Sequence, residues 1–169
     1  MDPRRRPVWS PFFNVECAVA AHSRPTLNLM GPFNSGWTEA DVEAVLLRAD
    51  PKELLYAPIV AGMNADLCSQ GWAESVCLRL AAHPDFNVRG NAVLGFGHIA
   101  RTCRELSLSR VLPVLSNALK DPHEFVRGHA DSAASDLDMF MDVRVPGYDQ
   151  AHRQELIDAI ETLKHEHDI

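Results

Sequence analysis

The sequence repeats itself. The stretch "VCLRLAAHPDFNVRGNAVLGFGHIA" aligns with "VLSNALKDPHEFVRGHADSAASDLD" without a gap. Val76 matches Val114, Pro84 matches Pro122, Val88-Arg89-Gly90 matches Val126-Arg127-Gly128, and Ala92 matches Ala130, every pair 38 residues apart. A period of this length means that one supersecondary unit is stacked on a copy of itself, because neither copy buries its apolar face alone.

Each unit reads as a helix, a Pro-bearing turn and a second helix. Val76, Cys77, Leu80 and Ala81 form an apolar stripe at helical spacing, and Pro84 ends it. Val88, Ala92, Phe96, Ile99, Ala100 and Cys103 form the stripe of the next helix. The second unit repeats this with Val111, Val114, Leu115, Ala118 and Leu119, then Val126, Ala130, Ala133, Leu137 and Met141. A weaker unit precedes them: Thr38 is an N-cap candidate with Glu39 and Asp41 behind it, Asp50-Pro51 is the turn, and Leu54, Leu55, Ile59 and Met63 begin another helix.

This pattern resembles the HEAT-repeat family, whose signature is an Asp followed five and six residues later by a Val-Arg pair. Asp121, Val126 and Arg127 fit it; in the earlier unit His83 stands at the Asp position. The resemblance implies an all-α fold, a short α-solenoid of HEAT-like helix pairs over residues 38–169. It also implies an Asp–Arg ladder between repeats, expected first at Arg127 and second at Arg89, where Val88-Arg89 fit but His83 takes the Asp position with Asp85 close by. Residues 151–167, with Leu156, Ile157, Ile160 and Leu163 inward, read as a C-terminal capping helix. Residues 1–37, punctuated by five prolines, read as an irregular N-terminal arm in which "FFNVECAVAA" suits a short strand or a helix.

Charge narrows the function. The net charge is −7, and residues 1–24 carry four arginines against Asp2 and Glu16, which leaves −9 on the rest. Such a body disfavours nucleic acid and anionic membrane and suits a basic protein. The four cysteines show no CxxC spacing, no apolar run approaches a membrane span, and the start lacks a signal-peptide core, so the reading is cytoplasmic. No phosphate loop, GxSxG, HExxH or dinucleotide fingerprint occurs. His123 and His129, or His165 and His167, are poorly spaced for zinc. The expectation is therefore no catalysis, no metal and no cofactor.

The polar feature that remains is a row on the last repeat helix: Asp131, Ser135, Asp138 and Asp142, at steps of four, three and four. Asn91, Gly95, His98 and Thr102 are read as the matching positions of the preceding unit. In HEAT solenoids the second helices line a concave surface, so Asn91, Gly95, His98, Asp131, Ser135, Asp138 and Asp142 form the expected partner-binding face. Gly95 has two readings, close helix packing or an exposed approach point for a partner. Short acidic HEAT-type proteins are similar to immunity proteins that bind and neutralise a cognate bacterial toxin, over an interface on the order of 1,600 Å². The alternative is an adaptor or lyase-type repeat protein acting within an enzyme complex.

Overall fold

The structure is a computed structural model that describes residues 31–149. The capping helix expected over 151–167, most of the N-terminal arm, and His165 and His167 lie outside the described residues. Within them the chain is all-helical: α1 (Glu39–Arg48), α2 (Pro51–Leu54), α3 (Ala57–Met63), α4 (Trp72–Leu80), α5 (Phe86–Thr102), α6 (Leu108–Ala118) and α7 (Glu124–Met141). None of these helices is long and apolar enough to cross a membrane.

Local chemistry sets the boundaries. Thr38 starts α1 with a reciprocal capping box: its hydroxyl accepts from Asp41 N–H at 3.3 Å, and the Asp41 carboxylate accepts from Thr38 N–H at 2.6 Å. The helix expected from Leu54 onward is two pieces, α2 and α3. Pro58 has no N–H to return to Leu54, so the chain tightens at Leu55-Tyr56 and restarts at Ala57. In the arm, Phe33 and Trp37 are buried, and Trp37 stacks on Trp72 at 6.2 Å.

The helices sort into two groups. The second helices α3, α5 and α7 lie side by side, with α5 in the middle and α5 against α7 the largest contact. Gly90 faces Phe125 and His129, and Gly97 faces Ala133 and Asp136, so α5 and α7 run in the same direction. The first helices α4 and α6 pack on this row. Val76, Val88, Ala92, Phe96, Ile99, Val111, Leu115, Val126, Ala130 and Leu137 fill one continuous core. Phe96 is fully buried, and its truncation to Ala is a loss of about 3–5 kcal/mol.

The turn between paired helices is built twice with its residues exchanged. In the first, His83 Nδ1 accepts from Asp85 N–H at 3.1 Å, and Asp85 caps α5 by accepting from Asn87 N–H at 2.8 Å. In the second, Asp121 accepts from His123 N–H at 2.9 Å, and His123 Nδ1 caps α7 by accepting from Phe125 N–H at 3.2 Å. Either side chain supplies the acceptor the turn needs. Only an Asp at the first position also receives an arginine, and that arginine must come from the preceding second helix. For the His83 turn the preceding second helix is α3, which has none.

The ladder therefore forms at Arg89. Its Nε and Nη2 chelate both Asp121 oxygens at 2.8 and 3.0 Å, across the two units, while Nη1 donates to the His83 carbonyl at 2.8 Å. The pair is 18 % and 12 % exposed, a bidentate bond in a largely desolvated seam. Arg127 makes the inner half of this arrangement, with Nη1 donating to the Asp121 and Pro122 carbonyls at 2.8 and 3.0 Å. No carboxylate among the described residues meets its outer fork. The ladder expected at Arg127 is in place one unit earlier.

Candidate functional site

The seven residues expected on one face occupy two. Asn91, Gly95, His98 and Thr102 lie along the seam between α5 and α3. Asn91 Nδ2 donates to the Leu55 carbonyl at 2.9 Å, and Thr102 Oγ1 donates to the Gly62 carbonyl at 3.1 Å. Gly95 is buried. A Cβ there would stand 2.5 Å from Cys77 Sγ and 3.1 Å from the Pro58 carbonyl, and one at Gly62 would stand 2.8 Å from the Gly95 carbonyl. Two helices cross at a glycine pair, and Gly95 offers no surface to a partner. Close packing is the reading that holds. His98 is only partly exposed; Arg101 donates to its Nδ1, and burial, then Arg101 and then His129, hold its pKa down to about 4.

Asp131, Ser135 and Asp138 sit on α7, half exposed, on the side opposite His129, Ala133 and Asp136, which meet α5. Asp142 does not continue the row. It is the C-cap of α7, left-handed at φ 56°, with its N–H bonded to the Asp138 carbonyl at 3.1 Å. Asp136 is taken up by Arg101, Nε to Oδ2 at 3.3 Å.

The separation has a simple cause. Pairing Asp131 with Asn91, Ser135 with Gly95 and Asp138 with His98 uses an offset of 40, whereas the repeat is 38. A slip of two residues turns a helix by about 200°, which is nearly the opposite face. At the true offset Asp131, Ser135 and Asp138 correspond to Val93, Gly97 and Ala100, all buried. Their face of α5 is the one α7 covers. The acidic row thus lies on the outer flank of α7, where a further unit would stack.

Other parts of that flank escaped the sequence reading. Gly128 corresponds to Gly90, whose missing side chain makes room for the Phe125 ring, yet none of the described residues lies within 4 Å of the space above Gly128. Met139, equivalent to Arg101, is 72 % exposed. With Arg127 these complete the flank. The exact 38-residue register was the signal that finds them.

Elsewhere the polar groups are committed to structure. A cleft of about 290 Å³ between α4 and the Ala65–Leu67 turn is lined by Asp66, Gln70, Glu74, Cys103 and Glu105. Buried Glu74 there accepts the Ser107 N–H at 2.7 Å and pairs with Arg110 at 3.3 Å, which pins the start of α6. Cys77 is fully buried, and burial pushes its thiol pKa up, away from nucleophilic reactivity. His123 stacks on Phe86 at 3.6 Å, and His129 lies 4.1 Å from Phe125. No group of three metal-ligating side chains occurs among the described residues. A scan against protein-family models, a search of curated proteins and a search of solved structures each return no match to this chain.

Proposed function

We propose that the protein is a non-catalytic binding module for one basic protein, a short α-solenoid of HEAT-like helix pairs that works in the cytoplasm and binds neither nucleic acid nor membrane. The order of second helices α3, α5 and α7 and the Arg89–Asp121 bond between units support the solenoid reading. The observation that carries the binding reading is the acidic flank. Positions that are Val, Gly and Ala under the cover of α7 become Asp131, Ser135 and Asp138 on α7 itself, with exposed Asp142 at its end. In a chain of net charge −7, carboxylates on the outer flank of the last described helix would steer a basic surface and raise its association rate.

The kind of partner that suits a small acidic module is a basic toxin domain, which the protein would bind and neutralise as an immunity protein. Asparagine at positions 131, 138 and 142 tests the site. The triple variant keeps its fold and associates with its partner at least about tenfold more slowly at low salt, with a flatter salt dependence. Unchanged association kinetics remove the flank from the binding site.

A further inference from the structure

The first and last described units each expose one half of a bond that is closed between the units. That bond joins the Arg89 fork on one second helix to the Asp121 carboxylate on the following turn, at 2.8 and 3.0 Å. The last unit repeats the arginine half. Arg127 is exposed, its Nη1 holds the Asp121 and Pro122 carbonyls, and no carboxylate among the described residues meets its outer fork. Gly128 beside it has no described residue within 4 Å of where a Cβ would stand, so the backbone there is open to close approach.

The first unit repeats the acidic half. Asp50-Pro51-Lys52-Glu53 matches Asp121-Pro122-His123-Glu124 at three of four positions. Both aspartates accept the N–H of the residue two places on, Asp50 from Lys52 at 3.0 Å and Asp121 from His123 at 2.9 Å. Ala49, Asp50, Pro51 and Lys52 are all exposed. Arg48 nearby is bonded to Glu53 at 2.8 Å, so no cationic side chain among the described residues hydrogen-bonds the Asp50 carboxylate. We propose that the protein associates with itself head to tail, the Arg127 end of one copy meeting the Asp50 turn of the next as Arg89 meets Asp121 within the chain.

A second copy is the occupant because this chain already makes the contact once, between units built from the same repeat. Charge selects the sense of pairing. A two-fold axis that set flank on flank would oppose Arg127 to Arg127 and aspartates to aspartates. Head to tail, Arg127 meets Asp50, and exposed Lys52 arrives beside the flank that bears Asp131 and Asp138. The most exposed large apolar side chains of the described residues add contact area in the same two units, Leu47 at 83 % just before the Asp50 turn and Met139 at 72 % on α7. Such a contact is heterologous, so it extends into chains or closes into a ring. It stands apart from the basic partner proposed above, which would compete for the α7 flank and leave the Asp50 turn free.

Sedimentation equilibrium of the full-length protein alone, from about 10 μM to about 1 mM, tests this. The weight-average mass of the wild type should rise with concentration beyond that of a dimer. Arg127→Glu and Asp50→Arg should each raise the apparent Kd at least about tenfold. An equimolar mixture of the two variants should associate again, because opposite charges then face each other at both kinds of junction; a variant that had merely misfolded would not be rescued. A wild type that stays monomeric throughout overturns the proposal, as does a plateau at the dimer. Association that either single variant leaves unchanged, or a mixture no stronger than its components, overturns it as well. Asp50→Arg leaves the α7 flank intact, so loss of self-association and loss of the basic partner are read separately.

Discussion

Gly95→Ala is the substitution whose sign the packing decides. In an open helix interior it stabilises by about 1 kcal/mol. Here the new methyl would sit 2.5 Å from Cys77 Sγ and 3.1 Å from the Pro58 carbonyl. Carbon contacts become favourable only at about 3.5–4 Å, so the thiol must yield by about 1 Å. Cys77 is fully buried and has nowhere to go, and the other neighbour is α3 backbone. Overpacking of this kind is worth about 1–3 kcal/mol, which outweighs the helix gain. The net expectation is a loss of about 1–2 kcal/mol, or about 3–6 °C in Tm for a chain of this size. Urea and thermal unfolding of the single variants and of the pair give the number. Cys77→Ala is itself destabilising by about 1 kcal/mol, yet it removes the tighter clash, so the double variant should lie about 1 kcal/mol above the sum of the singles. A Gly95→Ala protein more stable than wild type would refute the claim that α3 and α5 cross at this glycine.

Asp121→Asn breaks the bidentate bond to Arg89 in a seam that is 12–18 % exposed and should lower stability by about 2 kcal/mol. Glu53→Gln, which breaks the exposed Arg48 pair, should leave it nearly unchanged; denaturant midpoints compare the two. The Arg89 guanidinium holds the Asp121 carboxyl below its ordinary value. The unfolded chain therefore binds that proton first, and stability falls as pH drops below about 4; the loss should be smaller in Asp121→Asn. His98 stays neutral in the fold down to about pH 4, while the unfolded chain takes up its proton near 6.5. Stability thus declines as pH falls from 6.5 to about 4, and His98→Gln should flatten that limb in Tm-versus-pH scans, with His129 contributing in the same sense. Glu74→Gln weakens the anchor on Ser107 N–H and Arg110 and should cost about 1–2 kcal/mol, with faster amide exchange at the start of α6.

Much of this fold is legible because the repeat is literal. Pro84 and Pro122 locate the turns, the apolar stripes name the core, and Thr38 marks the start of α1. Two physical details were less visible. His83 and Asp85 exchange roles with Asp121 and His123, so a motif that fixes one residue type at one place puts the ladder a unit too late. The direction in which a helical stripe faces depends on which neighbours flank it. Pairing at an offset of 40 instead of 38 puts Asn91, Gly95 and His98 on one open face with the acidic row, whereas they lie in a seam. Pro58 likewise leaves no mark on the apolar periodicity of Leu54 to Met63, yet its missing N–H divides that stretch into α2 and α3.

Retention of a basic protein at the acidic flank of α7 can be read out directly. Tagged protein purified from the cells that encode it, with bound proteins quantified by mass spectrometry, tests this most directly when wild type and the triple asparagine variant at 131, 138 and 142 are run side by side. The wild type should carry one near-stoichiometric basic partner, depleted in the variant. No stoichiometric partner, or one retained equally by both proteins, would contradict it.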